Sequence, residues 1–157
     1  NDDYSVVLAF KDLGIPILIS SNPQEALDFF ILSYLVSKFT DGAVLHFYLS
    51  QSQSLKSYPE SSIVKVYASF QGQDLESAFG ALKELTGHSY SEFEFLNSSW
   101  FSRYDQILLL LGNQNVLSSA LPSGVGLISV KVYRPFNVAK LAKLVSSYSR
   151  VLQILEQ

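Results

Sequence analysis

The chain has 157 residues, 48% hydrophobic and only 16% charged, so it can bury a core as one domain or two small halves, which excludes an intrinsically disordered segment. Its net charge is -3, with eleven Lys and Arg scattered along the sequence, and no basic stripe points to nucleic acid or to an anionic membrane surface. The lack of cysteine excludes disulfides, thiolate-held zinc or iron and a cysteine nucleophile within these residues.

At the start, Asp3 can cap a short helix carrying Val6, Val7 and Phe10 at helical spacing and closed by Gly14; a strand from Ser5 to Phe10 is the alternative. Ile15 to Ile19 reads as a buried strand. It runs into Asn22-Pro23-Gln24-Glu25, which offers an N-cap, a proline at the first helical position and a glutamate at the third. The helix continues to about Phe39, Asp41-Gly42 turns the chain, and Ala43 to Leu49 is a second buried strand. Such a strand, helix, strand unit is expected to be parallel and right-handed. Ser50 to Ser62 is polar and aperiodic, as in a linker or long loop.

Asp74 to Thr86 predicts a helix capped by Gly87, with Leu75, Ala78, Phe79, Leu82 and Leu85 on one face. Tyr90, Phe93 and Phe95 mark a short extended segment or a turn, and Gln106 to Leu111 a strand buried on both faces. A short helix is expected around Val116 to Leu121, ending at Pro122. Gly126 to Tyr133 alternates Ile128, Val130 and Val132 with Ser129 and Lys131. Asn137 then caps a helix bearing Val138, Leu141, Leu144 and Val145, and Arg150 to Leu155 is a last strand. The order argues for α/β architecture with a three-layer parallel sheet in one or two parts. Residues 1–49 read as the end of a first α/β domain, 50–73 as a Ser-rich linker and 74–157 as a second α/β domain.

Catalytic signatures are sparse. His46 and His88 have no carboxylate at metal-ligand spacing, and both read as structural, the second at a helix C-terminus where its charge suits the dipole. Neither glycine cluster matches a phosphate-binding motif, and no serine stands in a nucleophile elbow. Glu92 and Glu94 read as solvated strand charges. The most unusual segment is Tyr133-Arg134-Pro135-Phe136-Asn137: Pro135 ends the strand, Phe136 is expected buried, Asn137 caps the next helix, and Arg134 is left to pair with a carboxylate or a phosphate. These five residues are structural or docking candidates, with no catalytic, cofactor-binding or metal-binding residue assigned. No stretch approaches the roughly 18 apolar residues of a membrane span, and Asn1-Asp2-Asp3 lacks a signal peptide's basic start. A soluble, cytoplasmic protein is expected, and the absent initiator Met suggests an excerpt of a longer polypeptide.

Gly126 to Phe136, followed by Arg150 to Glu156, resembles the second domain of pyruvate:ferredoxin oxidoreductases, whose strand ends on a Tyr-Arg-Pro-Phe tetrad. Leu85-Thr86-Gly87-His88-Ser89-Tyr90 and Asp105 to Gly112 resemble that family too. Within the superfamily, Asp3-Tyr4-Ser5, Lys11-Asp12-Leu13, Pro16 to Ser21 and Leu121 to Ile128 are similar to the N-terminal region of fungal sulfite reductase (NADPH) haemoprotein beta subunits, while Asn137 to Lys140 also resembles the flavoprotein alpha subunit.

The resemblance implies a transketolase-like α/β fold and a role in reducing sulfite to sulfide, with sirohaem and an iron-sulfur cluster bound elsewhere in the full-length protein and no cofactor here. It implies as partners the other domains of the same subunit and the flavoprotein alpha subunit. Leu49 to Ser54 departs from the polar segment that lies near the thiamine site in true oxidoreductases. The resemblance therefore implies an inherited, non-catalytic scaffold; a related region of the alpha subunit and an independent small-anion-binding module are the alternatives.

Overall fold

The computed structural model describes residues 9–48, 54–96, 104–111, 122–148 and 152–155. Asp3, Val6, Val7 and the helix expected at 116–121 lie outside these residues. Ala9 and Phe10 are helical and run into a 3₁₀ turn at Lys11–Leu13, closed by Gly14 at φ 76°. Strand β1 (Ile17–Ile19) follows, then helix α1 (Pro23–Thr40), β2 (Leu45–Phe47), α2 (Glu60–Ser69), α3 (Leu75–Thr86), β3 (Phe93–Phe95), β4 (Gln106–Leu111), β5 (Val125–Val130), β6 (Val132–Arg134), α4 (Val138–Ser146) and β7 (Leu152–Leu155).

Local chemistry explains most helix ends. The Asn22 side chain accepts from the Glu25 N–H, and proline opens the helix; Asp74 accepts from the Ser77 N–H, and Gly87 at φ 79° closes α3. Each such N-cap contributes about 1 kcal/mol. Helix α1 ends on Asp41 at φ 48°, so the aspartate, rather than the glycine after it, adopts the left-handed turn conformation, which Asp tolerates better than most side chains. Helix α2 is a correction to the linker reading of 50–73, because Ile63 and Val66 pack against the core formed by α1 and α3.

The expected parallel sheet, in one or two parts, is replaced by two small mixed sheets. One has the order β2-β1-β6, the other β3-β5-β4-β7. β1 and β2 are parallel, as are β5, β4 and β7, whereas β6 runs antiparallel to β1 and β3 antiparallel to β5. The run read as one strand from Gly126 to Tyr133 breaks at Lys131. There the chain leaves one sheet for the other: the Lys131 N–H donates to Glu92 O, and Lys131 O accepts from the Ile19 N–H.

Leu18 turns one face of β1 to Phe29, Leu32, Phe79 and Leu82 of α1 and α3. Ile17 and Ile19 meet Leu111 and Tyr133 on the other face. Around the second sheet, Phe93, Ile107, Leu109, Ile128 and Val130 pack with Leu141 of α4. β2 is only half-buried, against the expectation of a fully buried strand, and Val138 is 67% exposed rather than on the packed face of α4. No helix among the described residues is long and apolar enough to cross a membrane.

Candidate functional site

The segment singled out in the sequence sits where β6 leaves its sheet. Arg134 is paired through its backbone with Ile17, is already engaged within the fold, and precedes Pro135 through a cis peptide bond. Asn137 caps α4 by accepting from the Lys140 N–H at 3.0 Å. Phe136 is 37% exposed, a correction to its expected burial. It lies edge-on to Phe93 at 5.3 Å and against Tyr133 at 6.5 Å, because the residues after Pro135 run along the surface before α4 begins.

A polar centre that the sequence did not announce lies at the junction of the sheets. Lys131 has 0% exposure, and its ammonium meets both Glu25 oxygens at 2.7 and 2.8 Å, Glu94 Oε2 at 3.0 Å and Ser21 Oγ at 3.0 Å. Ser21 Oγ in turn lies 3.3 Å from Ser129 Oγ, and the Ser21 N–H donates to Glu25. Burial pushes the Glu25 carboxyl above its ordinary range, opposed by the charge of Lys131 and its hydrogen bonds. The first turn of α1 adds a positive helix end beside the carboxylate.

Glu94 is solvent-exposed as expected, its side chain 48% accessible, although it also reaches Lys131; Glu92 is not the solvated charge expected of it. Glu94 completes the Lys131 centre, while Glu92, 7% exposed, pairs with Lys140 at 3.0 Å. The missed signal is the Ser129 and Lys131 alternation: in a strand covered on both faces, the polar set is buried too and has to find partners.

A second centre forms one turn further along α1. Asp28, with 0% exposure, accepts from Tyr58 Oη at 2.8 Å, Tyr90 Oη at 2.7 Å and Gln24 Nε2 at 3.0 Å, and lies 2.7 Å from His88 Nδ1. Burial and the adjacent carboxylate hold both tyrosine hydroxyls protonated well above their ordinary range. Gln24 also receives the Lys56 N–H at 2.8 Å. The centre therefore ties the segment before α2 and the segment after α3 to α1. His46 stands apart from it, its Nε2 2.9 Å from Ser20 Oγ, and burial lowers it to about 4. Among the described residues, no group of three or more His, Asp and Glu could hold a metal ion.

Chemically, the junction offers a closed ion-pair network. A phosphate or other anion at the strand ends needs donors that are not already committed, whereas the Lys131 ammonium is surrounded by two carboxylates and a hydroxyl of the same chain.

No family model matches the chain. Over 156 residues, 98% of its length, it is 33% identical to the sulfite reductase [NADPH] subunit beta of Saccharomyces cerevisiae. It is also 20% identical to a probable pyruvate-flavodoxin oxidoreductase of Escherichia coli in an alignment of 207 positions that covers 99% of it. That alignment is longer than the chain, so the bacterial protein carries insertions in this region. The chain spans only 10% and 17% of the lengths of these two proteins.

Proposed function

We propose, from a chain related along nearly its whole length to one region of a sulfite reductase [NADPH] beta subunit, that it is a non-catalytic scaffold and assembly region of an NADPH-dependent fungal sulfite reductase. In this reading the parent enzyme works in the cytoplasm and supplies sulfide for cysteine biosynthesis. Sirohaem and an iron-sulfur cluster are held elsewhere in the full-length polypeptide, because the thiolates that such a cluster needs do not occur in these 157 residues. The partners are the other domains of the same subunit and the flavoprotein alpha subunit, with Tyr133, Arg134, Pro135, Phe136 and Asn137 as structural or docking residues.

The observation that carries this reading is how Lys131 is used. In open α/β sheets, ligands sit beyond the carboxyl ends of the strands, and the buried cation beside the end of β1 is bound by Glu25 and Glu94. These residues do not fit the diphosphate of a thiamine cofactor, which would meet carboxylates where it needs donors. They fit a structural junction between two sheets. Calorimetric titration of the chain with thiamine diphosphate and Mg²⁺ tests the proposal. No binding heat is expected, and micromolar binding would overturn it. Purified alone, the chain should be colourless and without sulfite-reducing activity; a copurifying visible absorption band would contradict the assignment.

A further inference from the structure

The surface beside Phe136 forms a groove of about 610 Å³, lined by Phe39, Leu75, Glu76, Glu92, Phe136 and Val138 among others. Its apolar members come from three helices and the strand exit. Two of them are left in water: Val138 is 67% exposed and Phe136 37%. Val138 opens α4, whose packed face is set by Leu141, so folding gains little from an apolar side chain there. Exposed hydrophobes gathered in a concavity mark an interaction surface, whereas single scattered ones need no explanation.

The rim is acidic. Asp74 and Glu76, at the cap and first turn of α3, line it together with Glu92. Glu92 is balanced by Lys140, which leaves the charges of Asp74 and Glu76 in excess. Hydrogen bonds from Ser77 hold the Asp74 carboxyl below its ordinary range, so it stays ionised at neutral pH.

We propose that this groove docks a protein segment that presents an apolar side chain flanked by Arg or Lys, the apolar group against Phe136 and Val138 and the cation between Asp74 and Glu76. The inference rests on the assembly role proposed above and names the chemistry of the contact. A second copy of this chain is disfavoured as occupant, because it would bring its own acidic rim against this one.

The test is a nuclear magnetic resonance titration of the isotopically labelled 157-residue chain. The probe is a short, end-blocked peptide with one leucine between two arginines; control peptides carry serine for the leucine or glutamates for the arginines. Saturable shifts should appear at 74–76, 92 and 136–138 with the first peptide alone. Val138→Ser, at an exposed position, should weaken binding by about tenfold, consistent with a buried aliphatic contact. Asp74→Asn with Glu76→Gln keeps the helix cap and should weaken binding by about fivefold, as for two exposed ion pairs.

The proposal fails if the glutamate peptide binds equally, if the variants bind like the parent, if the shifts fall elsewhere, or if no peptide binds at millimolar concentration. Groove shifts that depend on protein concentration without peptide would assign the surface to a second copy and overturn it as well. None of these outcomes touches the thiamine diphosphate titration, so loss of the groove and loss of the scaffold role remain distinguishable.

Discussion

Glu25 and Asp28 stand three residues apart near the start of α1, and both are essentially removed from solvent, at 1% and 0% exposure. Glu25 is balanced by a full charge, the buried ammonium of Lys131. Asp28 is surrounded by two tyrosine hydroxyls, an amide and an imidazole that is 39% exposed. Burying a charge costs several kcal/mol unless it is compensated, and the two sites meet that cost in different ways. The first relies on an opposite charge delivered from the sheet junction. The second relies on several charge-assisted hydrogen bonds gathered from separate segments. An ion pair is therefore expected to be all-or-none, while the hydrogen-bonded site should be lost in steps.

The largest expected effect tests the ion pair. Lys131→Met leaves Glu25 buried without its counter-charge and should destabilise the fold by about 3 to 5 kcal/mol, measured by urea unfolding. Adding Glu25→Leu should recover most of that loss, because replacing both partners of a buried pair with apolar side chains is often close to neutral. If the single variant cost as little as an exposed pair, under about 1 kcal/mol, the junction would not be the buried network described here. Asp28→Ala comes next, at about 1 to 3 kcal/mol, since it strands two half-buried hydroxyls. Segments 56–58 and 88–90 should then gain amide exchange ahead of the sheets.

Much of the fold can be read from the chain because its signals are local. Asn22-Pro23, Asp74, Gly87 and Asn137 cap helices by chemistry confined to a few residues, and each acts as expected. The strand cores at 17–19 and 106–111 follow from short apolar runs. Helix α2 was not legible, since Glu60 to Ser69 mixes polar and apolar residues without a clean stripe and has no side-chain cap; contacts to α1 and α3 hold it. Sheet pairing was hidden for the same reason. Nothing local marks Lys131 as the point where one extended segment serves two sheets, or distinguishes antiparallel β3 and β6 from the parallel strands. Both polar centres join residues sixty or more positions apart, beyond the reach of any spacing rule.

A pH dependence should separate a third buried group from these two. Burial holds His46 at about 4 in the fold, against an ordinary 6.5. Between those values the unfolded chain binds more protons at this residue than the folded one, so stability should fall as pH drops from about 6.5 towards 4 and then level. Glu25 acts in the opposite direction: its raised carboxyl favours the folded state at low pH and loses that contribution as pH rises above its ordinary 4.5. Comparing the parent with His46→Gln isolates the histidine, and the slope between 4 and 6.5 should become shallower in the variant. An unchanged slope would mean that His46 is solvated in the folded state.

The smallest effect sharpens the contrast within the Asp28 centre. Tyr58 and Tyr90 donate to different oxygens of the same carboxylate, Oδ1 and Oδ2, but only Oδ2 is also approached by His88, at 2.7 Å. Tyr90→Phe leaves Oδ2 with the imidazole as a partner, and Tyr58→Phe leaves Oδ1 with Gln24, so neither oxygen is orphaned and each loss should be close to 1 kcal/mol, the net value of one hydrogen bond. Combining the substitutions tests whether the centre fails in steps. Two independent losses would add to about 2 kcal/mol. If the pair behaves as a network, in which each donor is strengthened by the other in the same low-dielectric site, the double variant should lose less than the sum, because each single substitution already removes that shared strengthening. Thermal or denaturant unfolding of the two single variants and the double variant decides this. A Tyr58→Phe variant as stable as the parent would show that the Tyr58 hydroxyl contributes nothing, and that the segment before α2 is held by Gln24 and Lys56 instead.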